Sequence, residues 1–176
     1  NSFPTPPGGS RLRLVDAGAG VADDDYEGLD VAGAVVLGDG PIGRVWAAAV
    51  RTRGAAGVIS TELADYTRPG ETPGVLQWGS IPHDADRRSF GFKATPRAAR
   101  LLRERLAAAP VTLAVEIAST FHPGDNQTLV AEIPGVTHPD ERVVLVAHVQ
   151  EPGANDNASG SATLLAAVLA LQEAIA

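Results

Sequence analysis

Two short apolar runs, separated by a glycine-bounded amphipathic stretch, constrain this chain more than any other feature. Val31 to Leu37 (VAGAVVL) and Ala56 to Ser60 (AGVIS) read as buried strands: they are short, apolar on successive positions and bounded by turn residues. Between them, Gly38 to Gly43 predicts a tight turn. Val45 to Arg53 then sets Val45, Trp46, Ala49 and Val50 on one helical face. Gly54 follows, where a helix commonly ends on a glycine. Strand, helix and strand in that order predict an α/β fold.

The remaining pattern surrounds this unit. Residues 1–10 (NSFPTPPGGS) read as a tail or linker, and Arg11 to Val15 as a short strand with one wet face. Asp16 to Asp30 is an acidic loop. Its Asp23–Asp24–Asp25 run reads as a solvated turn, with a cation site as the alternative. Residues 63–80 read as a long loop and Ser89 to Lys93 as a strand. Thr95-Pro96 starts a helix that carries Leu101, Leu102 and Leu106 on one face and stops by Pro110. Val111 to Ile117 alternates as a strand. Beyond a junction at Phe121 to Asn126, Leu129 to Ile133 and Val143 to Ala147 are expected strands, joined through the turn-rich 134–141. Ala158 to Ile175 is a helix apolar nearly all round, which predicts burial on several sides.

Composition removes several functions. The formal net charge is −7 with no basic run, so a nucleic-acid partner is not expected. The chain has no Cys, which excludes disulfides, thiolate zinc sites and Cys nucleophiles, and leaves His and carboxylates as metal ligands. No apolar stretch is long enough to predict a membrane span. There is no Met even at position 1, so the chain is expected to begin inside a longer product. Absence of Cys fits a secreted or cell-envelope bacterial protein. Oligomeric state is not legible.

Two motifs carry possible chemistry. Gly38-Asp39-Gly40-Pro41-Ile42-Gly43 is a formal GxGxxG between a strand and a helix, with Glu62 past the next strand, which is the context of a dinucleotide-binding turn. The favoured reading is a strand-to-helix turn whose glycines serve sterics alone, because Glu62 lies past the strand end and no third strand–helix unit follows. The second motif runs from His148 to Gly160. A buried strand delivers His148 at its C-terminal end, and a loop delivers Asp156 just before a helix; His and carboxylate at such an edge suit zinc. Asn157 or Ser159 is placed to cap the helix, and Gly153 and Gly160 to turn the backbone tightly. A strand-end His and a helix-start acid without a metal fit the same spacing.

VVLVAHVQEPGANDNASGSATLLAAVLAL at 143–171 resembles the opening of the catalytic domain of co-catalytic dizinc exopeptidases. These are the bacterial leucyl aminopeptidases, glutamate carboxypeptidase and the transferrin receptor ectodomain. In them a strand ends in His-x-Asp, and a loop then gives Gly-Ala-x-Asp-(Asn/Asp)-x-Ser-Gly; GANDNASG at 153–160 matches it closely. NQTLVAEIPG at 126–135 resembles the family's first strand. The resemblance implies that His148 holds one zinc and that Asp156 bridges two. It departs at Gln150, where the family has a second-shell Asp; the adjacent Glu151 is the candidate to compensate.

Upstream, DVAGAVVLGDG, AAAVRTRGAAGVIST and residues 80–117 resemble a protease-associated (PA) domain, a β-rich module with flanking helices. The resemblance therefore implies an N-terminal tail and strand (1–24), a PA-like domain (25–118), and the first strands and helix of an α/β/α zinc-peptidase sheet (119–176). It implies a zinc-dependent aminopeptidase or exopeptidase acting on peptide or protein substrate. The family's general base and remaining ligands fall beyond this helix, so the chain alone is expected to be inert. The alternatives are a non-catalytic PA-type interaction module and, third, a dinucleotide-binding module through Gly38 to Gly43.

Overall fold

The computed structural model describes all residues except Val136, Pro152 and Ala176, and the side chain of Ile175. The expected turn at 134–141, the loop at 151–157 and the last position of the 119–176 segment each include one residue outside those described. The chain divides into two compact units, Asn1–Pro123 and Gly124–Ala176.

The first unit is a five-stranded sheet. Its strands are β1 (Ser10–Asp16), β2 (Val35–Gly38), β3 (Gly57–Ser60), β4 (Phe90–Lys93) and β5 (Thr112–Val115), in the order β4-β3-β2-β1-β5. β1 to β4 are parallel, and β5 runs antiparallel to β1. β1 serves two neighbours in succession: Ser10–Arg13 pair with β5, and Leu14–Asp16 pair with β2. Every residue of β2 and β3 is buried, which is why both read as unbroken apolar runs.

Period-two geometry sends alternate side chains of β2 to opposite faces. On one face Val36 and Val58 meet Val45, Trp46, Ala49 and Val50. These come from helix α1 (Ile42–Trp46), which continues as a wider π turn through Ala47–Arg51. On the other face Val35, Leu37, Ile59 and Phe90 meet Leu102 and Leu106 of α2 (Pro96–Ala108). The Thr95 side chain accepts from Ala98 N–H at 3.1 Å, the capping bond that the Thr-Pro pair predicts. Gly54 has φ of +72° and closes the first helix, its N–H donating to Val50 O.

Three expectations are corrected. Residues 1–10 are not a free tail. Phe3 is only 4% exposed, its N–H donates to Ser89 O, and its ring stacks on His83 and Phe121. The Pro/Gly composition marks turns, not detachment, and burial of one aromatic ring holds the segment down. Secondly, Leu129 to Ile133 and Val143 to Ala147 form no strands. Leu129 and Val143 are 99% and 92% exposed, and neither run has a ladder partner among the described residues. A strand needs a neighbour for its N–H and C=O groups, which propensity cannot supply. Lastly, α3 (Ala158–Ile175) forms but is not covered: Leu165, Leu169 and Leu171 are exposed.

The Asp23–Asp25 run is a 3-10 turn, Asp23–Tyr26. Asp25 accepts from the N–H groups of Ala22 and Val21, which hold its carboxyl below the usual carboxylate range. Asp23 pairs with Arg53 at 2.6 Å, so two of the three acids have partners within the fold. The Arg53 guanidinium lies 4.2 Å over the Tyr26 ring.

Candidate metal centre

The second unit places its chemistry at the start of α3. His148 follows the run Val143 to Ala147. Its Nε2 lies 3.1 Å from Asp156 Oδ1. Glu151 adds a third group: one ligand atom each from His148, Glu151 and Asp156 lie within 4.8 Å of one another. It is the one such cluster among the described residues. All three side chains are solvent-accessible, so the His–Asp contact by itself adds little stability.

Backbone geometry explains the surrounding residues. A Cβ on Gly153 would meet Asp156 O at 2.5 Å, and one on Gly160 would meet Asn157 Oδ1 at 2.2 Å. Gly153 therefore excludes a side chain, because backbone blocks it, whereas a Cβ at Gly160 would displace the Asn157 side chain. Ala158 N–H donates to Gly153 O, and Ser159 N–H to Ala154 O, so the loop folds directly into the first helical turn.

Neither Asn157 nor Ser159 caps α3 in the expected way. Asn157 Nδ2 donates to His148 O at 3.1 Å, and Ser161 Oγ donates to the same oxygen at 3.3 Å. Ser159 Oγ turns back to Asn155 O. The helix start is thus tied to the residue that presents the imidazole. The polar character of Asn157 and Ser161 was visible in the sequence; their target was not, because it lies nine and thirteen positions away. Gln150 is exposed and makes no side-chain hydrogen bond among the described residues.

The cluster suits zinc by donor type: one imidazole nitrogen and two carboxylates, with no thiolate needed. His148 and Asp156 already stand at the separation that two ligands of one ion adopt, and the glycines leave the backbone compact around them.

This segment is similar to Peptidase family M28. The family's model matches residues 128–175, which include all three clustered side chains. Peptidases of that family are zinc-dependent. No curated protein matches the chain, and no solved structure does. Among the described residues no helix is long and apolar enough to cross a membrane.

The M28 match leaves the GxGxxG turn to be explained by the first unit, and sterics explain it. A Cβ on Gly40 would meet Val21 Cγ1 at 2.3 Å and Ala19 O at 2.9 Å. The N–H groups of Asp39 and Gly40 already donate to Gly18 O and Ala19 O. Pro41 has no N–H to offer, and the N–H groups of Arg44 and Val45 donate back to Pro41 O. Glu62, the candidate ribose acid, pairs with Lys93 at 3.0 Å. Sterics thus account for the glycines of the turn, the reading the sequence favours, and Asp39 N–H, Gly40 N–H and Glu62 all have partners within the fold.

A second group of charges lines the same edge of the sheet. Arg103 of α2 bonds Asp16 at the end of β1 and Asp39 in the turn after β2, at 2.8 and 3.0 Å. The bond to Asp16 is the main reason its guanidinium is held more firmly protonated than usual. These charges tie α2 to the sheet.

Proposed function

We propose that the chain carries the first metal ligands of a zinc-dependent exopeptidase that removes residues from the end of a peptide or protein chain. The observation that carries this reading is the approach of His148 to Asp156 inside the segment similar to Peptidase family M28. His148 supplies a neutral imidazole nitrogen. Asp156 supplies two oxygens, enough for one carboxylate to bridge two ions as the resemblance implies. Asn157 and Ser161 hold the His148 carbonyl and so fix where the imidazole starts. Zinc, when bound, supplies a Lewis acid that polarises a peptide carbonyl and acidifies water.

His148, Glu151 and Asp156 are read as metal ligands, which leaves no group of this cluster as the general base. The isolated chain is therefore proposed to be inert. Its first unit serves as a PA-type module that engages substrate or partners, in a protein exported to the cell envelope or beyond. The decisive assay uses a protein that contains this chain together with the rest of its peptidase domain. Zinc-dependent release of terminal residues, lost in His148→Ala and in Asp156→Asn, is the expected result. Turnover that survives both substitutions contradicts the proposal.

Gln150 favours a second reading, because a neutral amide cannot orient and charge an imidazole as a carboxylate does. Under it the chain is an interaction module built on a peptidase scaffold. Absence of hydrolysis in the complete protein, with zinc bound, would select it.

A further inference from the structure

We propose that Glu151 is a direct metal ligand, so that this chain holds an ion by His148, Glu151 and Asp156 and needs no carboxylate at position 150. The inference rests on the zinc reading above and adds to it a ligand that the resemblance does not contain.

Three observations carry it. The first is placement: the Glu151 carboxylate comes within 4.8 Å of the ligand atoms of both His148 and Asp156. Two ligand atoms on one tetrahedral zinc at about 2.1 Å stand about 3.4 Å apart, so the widest pair closes by at most about 1.4 Å. Glu151 and Asp156 are exposed, so rotation about their side-chain bonds achieves it without moving the backbone.

Charge is the second. His148 and Asp156 alone leave a divalent ion with one formal positive charge uncompensated. Glu151 brings the set to neutrality, which Gln150 cannot do. Reach is the third. The residues at the two ends of the stretch from His148 to Asp156 are held together: Asn157 and Ser161 donate to His148 O, and Gly153 pairs with Asn157. In so short a loop Glu151 falls beside the ion position, and its extra methylene over Asp lets it enter the coordination sphere instead of buttressing the imidazole.

The test is metal binding by the intact chain, read by calorimetry with zinc and by the visible spectrum with cobalt. The expected result is one saturable site with Kd below about 1 mM, weakened at least tenfold by Glu151→Gln. The same substitution should change the position or intensity of the cobalt bands. Glu173→Gln, which removes an exposed carboxylate of the same unit, should leave both unchanged. Unaltered zinc affinity in Glu151→Gln overturns the proposal. So does weaker binding with an unaltered cobalt spectrum, which would mean that Glu151 acts through space only. His148→Ala separates the two claims. If it abolishes binding while Glu151→Gln does not, only the Glu151 assignment falls. If the unsubstituted chain binds no zinc, the Glu151 assignment falls alone; if His148→Ala binds zinc as the unsubstituted chain does, the zinc reading falls with it.

Discussion

The Asn157 side-chain amide donates to the His148 carbonyl oxygen at 3.1 Å, joining the first turn of α3 to the residue that presents the imidazole. The bond makes Asn157 a positioning residue: it touches no ion, yet it sets where one ligand stands relative to the next. Asn157→Ala removes the donor and leaves His148, Glu151 and Asp156 in place. Zinc affinity, measured by calorimetry, should fall by about tenfold or more, the usual effect of losing a group that orients a ligand. Asn157→Asp, which replaces the donating amide with an acceptor, should not restore it.

Gly40 should tolerate no side chain. Val21 Cγ1 and Ala19 O stand 2.3 and 2.9 Å from where a Cβ would lie, and the nearer clash is with a packed valine. Gly40→Ala is expected to destabilise the first unit by about 1–3 kcal/mol in urea unfolding. Titration of NAD(H) should show no saturable binding before or after the substitution. Tight binding lost in the variant would reinstate the nucleotide reading.

Much of the first unit was legible because its signals are local. Val35 to Leu37 and Gly57 to Ser60 are apolar at every position, Thr95-Pro96 announces its own helix, and Gly54 marks where another ends. What depended on distant partners was not legible. Phe3 looks like part of a Pro/Gly tail until His83 and Phe121 are seen around it. Leu129 to Ile133 and Val143 to Ala147 have strand composition, but no residue within either run says whether a neighbouring strand exists. At the candidate site, the approach of His148 to Asp156 was expected from residue type and from the resemblance. Glu151 was assigned a supporting place because spacing alone does not say which way a loop carboxylate turns.

The N-terminal segment makes a direct test of that lesson. Phe3 is buried at the edge of the sheet, with the Arg88 guanidinium 4.9 Å from its ring centre. Phe3→Ala should lower the stability of the first unit by about 3 kcal/mol, seen as a fall in Tm on the order of 10 °C. An unchanged Tm would return residues 1–10 to the status of a tail.

Tyr26 supplies a pH signature. Burial pushes its hydroxyl up to about 12, against the opposing pull of the Arg53 guanidinium; the hydroxyl donates to Gly20 O at 2.8 Å. The folded-state value lies above that of the unfolded chain, near 10. The contribution is therefore fully present below pH ~10 and is lost as pH rises toward about 12. Chemical denaturation across that window should show stability falling with pH, and Tyr26→Phe should flatten part of the fall. A variant with the same slope would remove Tyr26 as its source.

The central claim is that His148 and Asp156 hold one zinc ion, and the most direct measurement is anomalous scattering at the zinc edge from crystals of the chain grown with zinc. The account predicts a peak about 2.1 Å from both His148 Nε2 and Asp156 Oδ1, with a Glu151 oxygen in the same coordination sphere. Zinc bound elsewhere, with the His148–Asp156 contact intact and empty of metal at saturating zinc, would contradict it.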